Sequence, residues 1–155
     1  MEYASIEREI HIDAAPDVVF DVISSPAHIR EWWGGVEAAV EPTAGATGEL
    51  VWGDRATGDA QVVPITVVDA VAARLFSFRW VHPSGEVATT SNSLLVTFEL
   101  VPSGTGTLLR LTETGFREMG WQVAALEEAY QEHSAGWDSY LPCIGEYVIE
   151  LVSAS

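Results

Sequence analysis

Apolar and polar residues alternate through the opening of the chain. Over residues 3–13, Ile6, Arg8, Ile10 and Ile12 share one face, and Glu7, Glu9, His11 and Asp13 the other. That period of two marks an antiparallel strand with one wet side. Ala14-Ala15-Pro16 ends it, and Pro16 suits the first turn of a helix. Val18, Val19, Phe20, Val22 and Ile23 predict a short helix that stops at Ser24-Ser25-Pro26. A second helical turn over 27–31 leads into Trp32-Trp33-Gly34-Gly35. Strands are then predicted over about 36–41, 48–53, 60–71, 74–82, 91–101 and 107–115, separated by glycines and by Pro83-Ser84-Gly85 and Pro102-Ser103-Gly104. Hairpin-length connections between them argue a meander rather than a parallel sheet.

From Trp121 the period changes. Leu126, Tyr130, His133, Trp137, Leu141, Ile144, Val148 and Leu151 recur at steps of three and four, the stripe of an amphipathic helix over about 121–151. Some 30 residues at 1.5 Å each span roughly 45 Å, enough to cross a whole sheet. Pro142 interrupts the run and withholds a backbone donor from Asp138, which predicts a kink near 138–142. The expected fold is α+β: a six- or seven-stranded curved antiparallel sheet packed on one long C-terminal helix, with two short helices after the first strand. With no linker or repeat, residues 1–155 read as a single domain.

Charge narrows the function classes. Seven basic residues face 23 acidic ones, a net charge of −16, and all seven are arginines. The absence of lysine excludes Schiff-base chemistry, and there is no polybasic patch for nucleic acid or anionic lipid. After Arg117 only acidic charges follow, so the last helix presents a negative face. Cys143 is the only cysteine, which excludes an intrachain disulfide. The N-terminus lacks a signal-peptide pattern, and no stretch approaches a membrane span, so a cytoplasmic protein is expected.

No catalytic or metal motif is present. His11, His28 and His82 are scattered without ligand spacing, no metal or cofactor is expected, and the Gly-rich turns lack the context of a phosphate loop. Glu99, Arg110 and Glu113 lie in neighbouring predicted strands, and Glu113 shares the parity of Leu109 and Leu111. An acid on such an apolar face reads first as a rim residue or cross-strand ion-pair partner, with a buried carboxyl serving as general acid or base as the alternative. Arg8, on an apolar face, reads as the partner of an acid. His133 and Cys143 are ten residues apart on one helix, about 15 Å, which excludes a Cys–His pair.

Several pieces, in order, resemble a known superfamily. They are Ala15-Pro16-Asp17-Val18-Val19-Phe20, Ile29-Arg30-Glu31-Trp32-Trp33-Gly34, Ala73 to Trp80, Leu95 to Leu100, Gly106-Thr107, Thr114-Gly115-Phe116, and His133-Ser134-Ala135-Gly136-Trp137. Together they resemble the START-like, helix-grip (SRPBCC) superfamily, in the branch named after the C-terminal domain of the activator of the heat-shock-protein-90 ATPase. The resemblance implies a cavity between sheet and C-terminal helix. The leading expectation is therefore binding of a small hydrophobic or aromatic molecule, by a binding protein rather than an enzyme. Phe76, Phe78, Trp80, Phe98, Tyr130, His133 and Trp137 are the candidate ligand-binding residues. The alternatives are a co-chaperone-like protein-interaction domain and a cyclase, dehydratase or hydrolase-type enzyme using a cavity acid or histidine. Either a monomer or a homodimer fits.

Overall fold

The computed structural model describes residues 4–54, 56–83 and 85–154. Tyr3, at the start of the predicted first strand, and Ser84, in the predicted 83–85 turn, lie outside them. Strand β1 (Ser5–Ile12) is followed by helices α1 (Pro16–Ser24) and α2 (Pro26–Trp32). Strands β2 (Glu37–Ala39), β3 (Thr47–Trp52), β4 (Gln61–Val71), β5 (Leu75–Trp80), β6 (Leu94–Ser103) and β7 (Gly106–Thr114) then lead to helix α3 (Val123–Ser153). Both short helices begin with proline at their first turn. There its fixed φ helps and its missing N–H costs nothing.

Seven strands form one sheet in the order β1-β7-β6-β5-β4-β3-β2, with every neighbouring pair antiparallel. Strands β2 to β7 form the predicted meander. Strand β1 returns to the far edge, where Ile6 pairs with Glu113 and Arg8 with Leu111. Parity then fixes the inner face: Phe76, Phe78 and Trp80 on β5, Leu94, Val96, Phe98 and Leu100 on β6, and Leu109, Leu111 and Glu113 on β7 are all buried. On the outer face Arg110 meets Glu9 at 3.4 Å and Glu99 at 3.9 Å, cross-strand ion pairs to both neighbouring strands.

Helix α3 lies along the concave side and buries Trp137, Leu141, Ile144 and Val148, the centre of its predicted stripe. Burial of Leu141, Ile144 and Val148 contributes about 1.5–3 kcal/mol each. Pro142 sits inside the helix on its exposed side, and the helix is one element from Val123 to Ser153. Polar ties from β1 and α2 help to hold α3 down. Arg8 donates to Asp138 Oδ1 (2.7 Å) and to Ser134 Oγ (2.7 Å), and the bond to Asp138 raises the guanidinium pKa further. His28 Nδ1 meets the Tyr147 hydroxyl at 2.7 Å. Burial, then the carboxylates of Glu31 and Asp21, push that hydroxyl above its ordinary pKa.

Candidate functional site

The chemistry of the inner face gathers at the end of the sheet where α2, β3, β5 and the middle of α3 meet. Trp33, the residue that closes α2, is the hub. Its ring stacks on Trp32 (centroids 5.4 Å apart, planes within 7°) and touches Trp52 (5.4 Å), Trp80 (5.2 Å) and Trp137 (5.4 Å). Gly34 follows at φ +62°. A Cβ there would lie 3.0 Å from the Tyr140 hydroxyl and 3.4 Å from Trp52 Nε1, so the backbone passes close only because the residue is glycine.

Under this aromatic group lies Glu113, completely buried. Its Oε2 accepts the indole N–H of Trp80 (2.8 Å), its Oε1 that of Trp137 (2.9 Å), and His133 Nδ1 lies 3.0 Å from Oε1 and 3.1 Å from Oε2. The expectation of a rim residue or ordinary ion pair is corrected here. Glu113 keeps the parity of Leu109 and Leu111, and its burial is met by two indoles and an imidazole rather than by an arginine. A buried carboxylate needs donors on both oxygens. Those donors come from β5 and α3, so the same carboxylate fastens sheet to helix.

Above Glu113 a cleft of about 500 Å³ opens to solvent. Its walls are Trp33, Trp52, Trp80, Trp137 and Tyr140, with Val63 and Val81; Gln61, Glu132 and His133 supply polar atoms, and Gly136 forms part of the helix side. A Cβ added at Gly136 meets nothing within 4 Å. The helix therefore leaves open space at this point of the cleft. Val81 has φ +68°, an uncommon conformation for a β-branched residue, and strain of this kind is concentrated at functional sites. Trp52 donates to the Trp33 carbonyl (3.1 Å), so with Trp80 and Trp137 three wall indoles have their N–H groups satisfied inside the protein.

Of the seven candidate residues, Trp80, His133 and Trp137 line this cleft. Phe76, Phe78 and Phe98 are at most 2% exposed and pack in the core behind it. They share Trp80's inward parity, but the rings of Trp33 and Trp137 stand between them and the opening: Trp33 contacts Phe78, and Trp137 contacts Phe98. Tyr130 lies one turn earlier on α3, where its hydroxyl donates to the Ser5 carbonyl (2.8 Å) and its ring packs on Phe116. Periodicity missed Trp33, Trp52, Gly136 and Tyr140. The Trp32-Trp33-Gly34 and Gly136-Trp137 pairs were the available signals: glycine beside tryptophan allows a close backbone approach at Gly34 and leaves open space at Gly136. Among the described residues no cluster of His, Cys, Asp and Glu could hold a metal ion, and no helix is long and apolar enough to cross a membrane.

A curved antiparallel sheet gripping one long C-terminal helix, with an aromatic cleft between the two, defines a START-like helix-grip domain. Within that class the chain belongs to the family described as "Activator of Hsp90 ATPase homolog 1-like protein", whose model matches residues 13–148. Solved structures of similar fold include protein MLL2253 from Mesorhizobium loti (20% identity, TM-score 0.74, covering 94% of this chain and 97% of that one). Protein NE0264 from Nitrosomonas europaea has 13% identity and a TM-score of 0.74, covering 99% of both chains. The Aha1 dimer from Colwellia psychrerythraea has 14% identity and a TM-score of 0.69, covering 93% of this chain and 95% of that one. No curated protein matches the sequence significantly.

Proposed function

We propose that the domain binds a small hydrophobic or aromatic molecule in the cleft between the sheet and α3, in the cytoplasm. The observation that carries this reading is the open cleft of about 500 Å³ walled by four tryptophans and a tyrosine. Pockets for small ligands are concave, largely aromatic and furnished with a few polar groups, and Gln61, Glu132 and His133 fill that last role. The test is native mass spectrometry of gently purified protein, paired with titration of the apolar dye N-phenyl-1-naphthylamine. A discrete added mass lost on denaturation, or saturable dye binding that Gly136→Leu abolishes, supports the reading. No added mass together with no saturable dye binding removes it.

A second reading has one specific observation in its favour. His133 Nδ1 rests on the buried Glu113 carboxylate, the arrangement that fixes an imidazole's orientation and tautomer. His133 lines the cleft, and its Nε2 has no partner among the described residues. That nitrogen could serve as a general base towards a bound molecule. Turnover of a bound ligand that His133→Gln stops, with binding retained, would move the protein into the enzyme class. As a protein-interaction domain it would instead meet a basic partner through the acidic outer face of α3, with steep salt dependence. The dimeric Colwellia relative makes a homodimer a fair second form beside a monomer.

A further inference from the structure

We infer that the cleft selects organic cations, a substituted ammonium or protonated amine on an apolar or aromatic body, over carboxylates of the same shape. This rests on the cleft-binding reading and names its ligand class. Three observations converge on it. First, no described residue lining the cleft is Arg or Lys, while Glu132 stands at its rim and the Glu113 carboxylate lies directly behind its wall. An anion would enter a field of its own sign; the one described lining residue that can carry positive charge, His133, already rests on the Glu113 carboxylate, which meets that charge. Second, the wall indoles of Trp52, Trp80 and Trp137 spend their N–H groups internally, so what they turn to the cleft is ring carbon and π surface. Such faces attract cations, tryptophan most strongly.

Third, two of those indoles donate to the same buried carboxylate. A hydrogen bond to an anion pushes electron density from the donor into the ring to which it belongs. Glu113 therefore makes the π faces of Trp80 and Trp137 more negative than those of free indole, and does so from a position no ligand touches. An aromatic box backed by a buried anion in this way is built for a positive guest.

The test uses three ligands on one biphenyl frame, measured by isothermal titration calorimetry: biphenyl-4-ylmethyl-trimethylammonium, biphenyl-4-ylmethanol and biphenyl-4-acetate. Since a net charge of −16 draws any cation weakly to the surface, titrations run at 0.15 M and 0.5 M salt, where screening lengths are about 8 Å and below about 5 Å. The ammonium is expected to bind at least about ten-fold tighter than the acetate and measurably tighter than the alcohol. It should keep most of that margin at high salt and lose it in Gly136→Leu, whose side chain occupies the cleft. Glu132→Gln should narrow the margin without abolishing binding. Equal or tighter binding of the alcohol or acetate overturns the cation preference and leaves the cleft reading standing. Ammonium binding unchanged in Gly136→Leu assigns the effect to the surface and overturns the inference. Binding of none of the three overturns the cation preference, and the cleft reading falls with it if the dye titration and native mass spectra are also blank.

Discussion

Gly136 gives the sharpest test of whether the cleft is a selected feature or an accident of packing. A glycine inside a helix costs about 0.8–1.0 kcal/mol relative to alanine, and Gly136 lies in the interior of the 31-residue α3. A Cβ there meets nothing within 4 Å, so no clash offsets the gain. Gly136→Ala should therefore stabilise the fold by about 1 kcal/mol, raising Tm by roughly 2–4 °C for a domain of this size. The same helix supplies its own control. At Gly145 a Cβ would lie 3.3 Å from Ile10 Cδ1 and 3.9 Å from Ile12 Cγ1, so Ile10 must shift and the gain from Gly145→Ala should be clearly smaller. Urea unfolding followed by circular dichroism reads both, with the slope m checked for constancy. Gly136→Leu should keep most of the stability gain while excluding the dye. The reasoning fails if Gly136→Ala is neutral or destabilising at unchanged m, or if the two alanine variants gain equally.

The other predictions concern single contacts. Glu113→Gln leaves an amide with one acceptor oxygen facing two indole donors, and should cost about 1–3 kcal/mol in urea unfolding; no loss would mean that water or repacking replaces the carboxylate. Ala73, at φ +63° in the β4–β5 turn, should gain about 1 kcal/mol on Ala73→Gly, read as a raised denaturation midpoint. Pro142→Ala restores the donor to Asp138 and should stabilise by up to about 3 kcal/mol, read as a raised urea midpoint; a neutral or lowered midpoint refutes it. Asp138→Asn should cost less than about 1 kcal/mol, and less still at high salt, because the Asp138 side chain is 61% exposed.

Most of the architecture was legible because periodicity speaks directly to burial. The alternation of Ile6, Arg8, Ile10 and Ile12 identified the inner face of β1, and Arg8 found its acid on α3. The stripe Trp137, Leu141, Ile144 and Val148 was the buried seam of the helix. The cleft was legible only in part. Parity says that a side chain points inward, but not how far it lies from the opening, so Phe76, Phe78 and Phe98 looked equivalent to Trp80. What separates them is the insertion of Trp33 from α2, a contact across the fold that no local pattern encodes. Glu113 was misjudged for a related reason. Its donors lie 33, 24 and 20 residues away, and only tertiary structure brings Trp80, Trp137 and His133 around one carboxylate.

The grouping of tryptophans around Trp33 also has an optical consequence. Trp33 lies within 5.2–5.4 Å, centroid to centroid, of Trp32, Trp52, Trp80 and Trp137. Indoles this close exchange excitation faster than they emit, and their transitions couple into shared bands in the near-ultraviolet. A guest that quenches any one wall indole will therefore dim the others with it, including Trp32, which it cannot reach. The domain carries its own reporter of cleft occupancy, readable in unlabelled protein by emission intensity and near-ultraviolet dichroism.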